Sequence, residues 1–220
     1  MRKALSGALT ENIKMERQIL QVGSFEVNCS LVIIGARAWI VDPGADAPRL
    51  VETLAARQLE PAGILLTHGH FDHIGAIPAL QAAFPGLQVH VNPEDARMLA
   101  HPLNQFPPDY PPIAMPANIR TPADAEAAFA AAGARLEVID TPGHTPGGVC
   151  YHLPEEKLLF AGDTLFAGSA GRTDLPGGDM ATLMDSLHRL LQLADETVVI
   201  PGHGPATTIG RERATNPFLI

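Results

Sequence analysis

Along the chain, short runs of branched and apolar residues alternate with longer stretches of helical periodicity, and glycine, proline or a polar cluster closes each run. Met15 to Val22 and Phe25 to Ile34 read as strands around the turn Gly23-Ser24. With Ala38 to Val41 they make an opening antiparallel meander. Ala47 to Gln58 reads as a helix, because Leu50, Val51, Leu54 and Leu59 trace one apolar face. Gly63 to Thr67 is a buried strand, followed by a helix over His73 to Phe84 with Asp72 as its N-cap. A strand near Leu87 to Val91 and a helix from Pro93 to Ala100 come next. His101 to Pro122 carries seven prolines, so it is expected to hold no regular element and to form a substrate-covering loop or a surface excursion, with Phe106 and Tyr110 as contact residues. Beyond it the pattern predicts a helix over Asp124 to Ala132 and strands over Arg135 to Ile139, Val149 to Leu153 and Lys157 to Ala161. A helix over Asp179 to Leu193 and a strand over Thr197 to Ile200 complete the chain. This succession is α/β, with one domain over residues 15–220 preceded by a loose extension over residues 1–14.

The chemistry concentrates where predicted strands end. Thr67-His68-Gly69-His70-Phe71-Asp72-His73 packs three imidazoles and a carboxylate into six positions. In extended backbone, residues two apart face the same way, so His68 and His70 can reach one ion, while Asp72 and His73 project elsewhere from a helix start. That geometry suits two neighbouring metals, and imidazole with carboxylate suits zinc, iron or manganese. His144, Asp163 and His203 also sit at the ends of predicted strands or in the following turns, each beside a glycine. Asp42 reads as a turn cap, and His90, His101, His152 and His188, away from such turns, as structural or surface residues.

Composition narrows the function. The formal net charge of −9, with no Lys/Arg cluster, argues against nucleic acid as a partner. No stretch approaches a membrane span, and Arg2 to Leu9 is too short and broken to be a signal peptide. Two cysteines, Cys29 and Cys150, lie in apolar runs and make no disulfide framework, which points to a reducing cytoplasm.

The ordered set His-x-His-x-Asp-His at 68 to 73, Gly143-His144, Gly162-Asp163 and Gly202-His203 resembles the metallo-β-lactamase fold superfamily. The resemblance implies a four-layer αββα sandwich of two mixed sheets with two divalent metal ions at one edge. It implies His68, His70 and His144 on one metal, Asp72, His73 and His203 on the other, and Asp163 bridging them. Asn28-Cys29, Asp42-Pro43-Gly44, Thr141 to Thr145, Gly162 to Phe166 and Gly171 to Asp174 make the chain similar to the glyoxalase II group, in its single-domain bacterial type. Position 69 is glycine where that group usually carries another histidine, and the group's strand pair before the Pro-Gly-His turn is replaced here by the helix over Asp124 to Ala132. The resemblance implies hydrolysis of a small-molecule thioester such as S-lactoylglutathione by a metal-bridged hydroxide, with Asp72 and Asp163 holding the metals and orienting the hydroxide. Zinc is the expected metal, with iron and manganese as alternatives. Arg172 is the candidate for a substrate carboxylate, or else the partner of Asp174 or Asp179 in a salt bridge. The stretch Gly171 to Asp174 also resembles the persulfide dioxygenases, which use a single iron.

Overall fold

Every residue of Val27–Ile34 is buried, and alternation along this strand sends its side chains to two different cores. Leu31 and Ile33 join one apolar cluster, Val32 and Ile34 another. The same sorting along the other central strands builds the molecule, which is described over residues 15–220 by a computed structural model. The extension expected over residues 1–14 lies outside the described residues.

The first sheet has the spatial order β1 (Met15–Val22), β2 (Val27–Ile34), β3 (Arg37–Val41), β4 (Glu60–Leu65), β5 (Val89–His90) and β6 (Ile119–Arg120). It is antiparallel as far as β3 and parallel from there. Helices α1 (Ala47–Ala56) and α3 (Ile77–Ala83) cover its outer face through Leu50, Leu54, Ile77 and Leu80; the short α2 (Phe71–Ile74) and α4 (Pro93–Ala96) lie at its edge of loops, and α5 (Pro122–Ala131) follows β6. The second sheet contains β7 (Glu137–Asp140), β8 (Val149–Leu153), β9 (Leu158–Gly162), β12 (Val198–Pro201) and β13 (Thr207–Thr208). Its order is β13-β12-β9-β8-β7, with only β9 and β12 parallel. A small hairpin, β10 (Leu165–Phe166) with β11 (Ser169–Ala170), follows β9, and α6 (Met180–Leu190) and α7 (Ile209–Thr215) carry Leu183, Leu187, Leu190 and Ile209 onto the second sheet's outer face. Three apolar layers therefore separate four structural ones, which is the αββα sandwich with two mixed sheets.

Between the sheets, Trp39 and Val41 of β3 meet Val149, Tyr151 and Phe160, and α5 plugs one end with Phe129. The Phe129 and Trp39 rings lie 4.3 Å apart and tilted by 40°. Phe129→Ala is expected to cost about 3–5 kcal/mol, the range for emptying a buried aromatic site. The chain's single tryptophan, Trp39, reports the denaturant midpoint by its fluorescence. A midpoint equal to wild type would show that α5 is not part of the cooperative core.

Several expectations need correction. The helix over His73 to Phe84 is two helices: Pro78 has no N–H to donate, and its ring would clash with the carbonyl four residues back, so the chain breaks at Gly75-Ala76. His70, not Asp72, stands at the N-cap, and Asp72 lies inside the first turn. The helix from Pro93 ends at Ala96 and relaxes into turns. The second strand starts at Val27, because Phe25 and Glu26 belong to the turn. The proline-rich segment is irregular except for β6, whose two residues add to the parallel edge of β5.

Candidate metal centre

The strand β4 stops at Leu65, and the chain runs past the sheet edge as Leu66-Thr67-His68-Gly69-His70. Two bonds tie this run to the second sheet: the Val149 N–H donates to the Thr67 carbonyl at 2.8 Å, and the Tyr151 hydroxyl donates to the Leu66 carbonyl at 3.0 Å. Asp163 and His203 arrive from the ends of β9 and β12, held side by side by parallel pairing and by the Gly202 N–H donating to the Gly162 carbonyl at 2.7 Å. A Cβ at residue 202 would lie 2.1 Å from Asp163 Oδ1, so only glycine lets the two turns approach so closely. His144 comes from the turn between β7 and β8.

All seven side chains singled out in the sequence meet here. His70 Nδ1 lies 2.9 Å from His144 Nε2, and His73 Nε2 lies 3.4 Å from His203 Nε2. Asp72 Oδ2 is 3.3 Å from His203 Nε2. Asp163 stands between the halves, with Oδ1 3.5 Å from His73 Nε2 and Oδ2 3.7 Å from both His144 Nε2 and His203 Nε2. Three groups, His68-His70-His144, His68-His73-Asp163 and Asp72-His73-His203, each bring one ligand atom per residue within 4.8 Å of the others and could hold a metal ion.

The donor set fits divalent ions on internal grounds. His144 Nδ1 donates to the Arg172 carbonyl and His203 Nδ1 to the Phe25 carbonyl, both at 2.7 Å, which leaves the lone pair of each ring on the Nε2 that faces the site. Thr67 Oγ1 donates to Asp42 Oδ2 at 2.6 Å and lies 3.1 Å from His68 Nδ1, so it can accept from that ring and turn the His68 lone pair inward too. His68 Nε2 and Asp163 Oδ1 are buried with no hydrogen-bond partner. Buried polar atoms are almost always paired, and a cation between these two atoms accounts for both. Nitrogens facing one another at the distances above repel unless a proton or a cation lies between them.

Electrostatics keep the two halves different. Burial, then the charges of neighbouring histidines, pushes His68 well below the ordinary imidazole range, and burial with His144 pushes His70 down to about 4. Both rings are therefore neutral near neutrality, with lone pairs available to a cation. Burial works against charge on His73 as well, yet Asp72, Asp163 and Asp42 outweigh it and raise its pKa. Burial likewise opposes charge on Asp163, but His73, His144 and His203 hold its carboxyl well below the usual carboxylate range.

Asp42 is more than the turn cap expected of it. Its carboxylate crosses to the motif strand, where Oδ1 accepts the Thr67 N–H at 2.8 Å, and Oδ2 lies 3.1 Å from His73 Nδ1. Asn28 secures the other turn: its side chain donates to the Pro201 and Gly204 carbonyls at 3.0 and 2.9 Å, and its backbone N–H donates to the Gly202 carbonyl at 2.7 Å. Pattern reading along the sequence leaves both roles unseen, because the partners lie 25 and 173 or more positions away.

Arg172 does not aim its guanidinium at these atoms. It forms a two-point pair with Asp174, both bonds 2.7 Å, on the exposed surface, while its carbonyl holds His144. Beside the Asp72-His203 half, Phe25, Phe71 and Phe106 form an aromatic rim with ring centroids 5.1–5.9 Å apart, and Phe25 and Phe106 face outward. Tyr110, expected as a contact residue, is instead buried, its hydroxyl accepting the Phe25 N–H at 3.4 Å. His90, His101 and His152 bond to nearby groups outside the site, and His188 lies in the last turn of α6. Cys29 and Cys150 are free and buried, their thiols raised by that burial, Cys150 to about 11.

An αββα sandwich with paired histidine and aspartate clusters at one sheet edge defines a class, and the chain belongs to it: the family model of the metallo-β-lactamase superfamily matches residues 22–203. Among its relatives, the hydroxyacylglutathione hydrolase GloC of Haemophilus influenzae is 38% identical over an alignment covering 93% of this chain and 98% of that protein. The solved structure of the BLEG-1 B3 metallo-β-lactamase superposes with a TM-score of 0.82 at 37% identity, covering 93% of this chain and 99% of its own. That of TTHA1623 in a di-iron-bound form does so with a TM-score of 0.81 at 39% identity, covering 92% and all of its own chain. Among the described residues, no helix is long and apolar enough to cross a membrane.

Proposed function

We propose that this protein is a metal-dependent hydrolase that cleaves a thioester, S-lactoylglutathione or a similar hydroxyacyl thioester. The observation that carries the reading is Asp163, a buried carboxylate within 3.7 Å of ring nitrogens from both halves of the centre, so that one side chain can serve two ions. His68, His70 and His144 would hold one ion, and Asp72, His73 and His203 the other. Divalent ions bound there would lower the pKa of water to near neutrality and polarise a carbonyl.

The chain's own residues do the rest. His144 and His203 keep their lone pairs inward because backbone carbonyls hold their other nitrogens. Asp72 and Asp163, ionised near neutrality, accept the hydrogen bond that orients an attacking hydroxide. A thiolate can leave without a proton donor, so this reaction asks no separate acid of the centre. The rim of Phe25, Phe71 and Phe106 sits where it can shield the acyl group from water. The relative named as a hydroxyacylglutathione hydrolase supports the thioester, and the di-iron structure supports two metals. The net charge of −9 speaks against a nucleic acid substrate. Zinc is the first metal to test and the cytoplasm the expected compartment.

A single-iron persulfide dioxygenase is the second reading, since the His68-His70-His144 group could hold one ion alone. Elemental analysis of purified protein, with turnover of S-lactoylglutathione and a β-lactam as control, separates these readings. About two metals per chain with thioester cleavage is the expected result. One iron, no cleavage, and oxygen uptake with glutathione persulfide would replace it.

A further inference from the structure

The three-histidine half of the centre is assembled from two loops that have no covalent reason to stay together. His68 and His70 follow β4, and His144 stands over 70 positions later between β7 and β8. Between those loops lies Asp95 of α4, wholly buried and not itself within the centre. Its Oδ2 accepts the Gly69 N–H at 2.9 Å and the Thr145 hydroxyl at 2.8 Å, and its Oδ1 accepts the Gly147 N–H at 2.6 Å. One carboxylate therefore bonds the residue between His68 and His70, the residue after His144, and the backbone two positions further on. Asn104 completes the hold by donating to the Gly69 carbonyl at 2.8 Å, so both polar groups flanking this residue are fixed.

The packing is as tight as the bonding. A Cβ at residue 69 would come within 2.8 Å of Met98 Cγ and 3.0 Å of the Asp95 carbonyl oxygen. One at residue 147 would come within 2.7 Å of Asp95 Oδ1. This explains the glycine at position 69 where the resemblance to glyoxalase II would lead one to expect histidine: Met98 and the Asp95 carbonyl occupy the space a side chain would need.

We propose that Asp95 is the positioning residue of the three-histidine half, setting the separation of His68 and His70 from His144 and hence the affinity of that half for its metal. The Asp95 carboxylate bonds neither to α2, which carries Asp72 and His73, nor to the turn carrying His203; Asn28 holds that turn, while Asp42 reaches both halves, His73 directly and His68 through Thr67. Asp95 thus braces the three-histidine half alone, and damage to it should be felt on that side. The proposal rests on the two-metal reading above.

The experiment measures Zn²⁺ affinity by competition with a chromophoric chelator in two backgrounds. His203→Ala disables one half and His144→Ala the other. Into each go Asp95→Asn, which keeps the shape but changes the acceptor pattern, and Thr145→Val, which removes one bond at nearly constant volume and keeps the test available should the first variant not fold. Both are expected to weaken Zn²⁺ binding about 10–100-fold in the His203→Ala background, the usual effect of losing a partner just outside a metal's ligands. In the His144→Ala background affinity should not change. Equal losses in both backgrounds would reduce Asp95 to a general structural role, and no loss in either would overturn the proposal. Wild-type protein holding two Zn²⁺ in those cases leaves the metal reading intact, whereas wild type holding none removes the reading and the proposal together.

Discussion

Asp163→Ala is expected to abolish thioester hydrolysis and to loosen both metal ions together. Asp163 places one carboxylate against ring nitrogens of both halves, because β9 delivers it to the seam where the His144 turn and the His203 turn meet. Its carboxylate also supplies negative charge that offsets, on full loading, two dications. Without it those positive charges face one another across a few ångströms in a site largely closed to water. Turnover should fall by at least about 100-fold, with metal content dropping below one per chain after dialysis. Elemental analysis and S-lactoylglutathione turnover on the same preparation check both. A variant that kept full activity and two metals would remove the bridging role, and loss of a single metal would reassign Asp163 to one half.

Asp42→Ala is the second large effect, and it falls on the metal-free protein as well as the loaded one. The side chain accepts the buried Thr67 N–H and hydroxyl and lies against His73, so alanine leaves two donors stranded in the interior. Each unpaired buried donor costs about 1–3 kcal/mol. Asp42 also has φ of +48°, a conformation that aspartate tolerates better than alanine. A loss of roughly 3–5 kcal/mol is expected from these contributions, a large share of the stability of an ordinary domain. Asp42→Asn, which keeps the shape and an acceptor for Thr67, should lose clearly less. Urea denaturation of the metal-free forms decides this, and equal midpoints for wild type and Asp42→Ala would show that Thr67 and His73 find other partners.

How far the fold and the centre could be read from the chain depends on the distance between cause and partner. The central strands were legible because each is a run of apolar residues ended by glycine or proline, and the seven candidate residues because each follows such an ending. Two-residue strands such as β6, β10 and β13 carry no period, and α7, with Ile209 as its buried apolar residue, shows no apolar stripe. The break between α2 and α3 was signalled by Pro78, whose effect the strong apolar spacing of Ile74, Ile77 and Leu80 hides. The bracing roles of Asp42, Asn28 and Asp95 could not be recognised, since what they hold is mostly backbone, which has no signature in the sequence. The supports of this centre are therefore known only from the fold, whereas its ligand-type side chains announce themselves.

The irregular proline-rich segment bears differently on the molecule's history. It contributes Phe106 to the aromatic rim and Asn104 to the Gly69 carbonyl, yet none of the seven clustered side chains, and apart from the short β6 near its end it stands outside both sheets. Selection can rewrite its exposed parts while the chemistry beneath continues to work, provided Asn104 and the buried Tyr110 or their equivalents survive. Such a separation lets one catalytic platform be refitted for new substrates by exchanging a single stretch of chain, and it marks that stretch as the natural place to begin redesign.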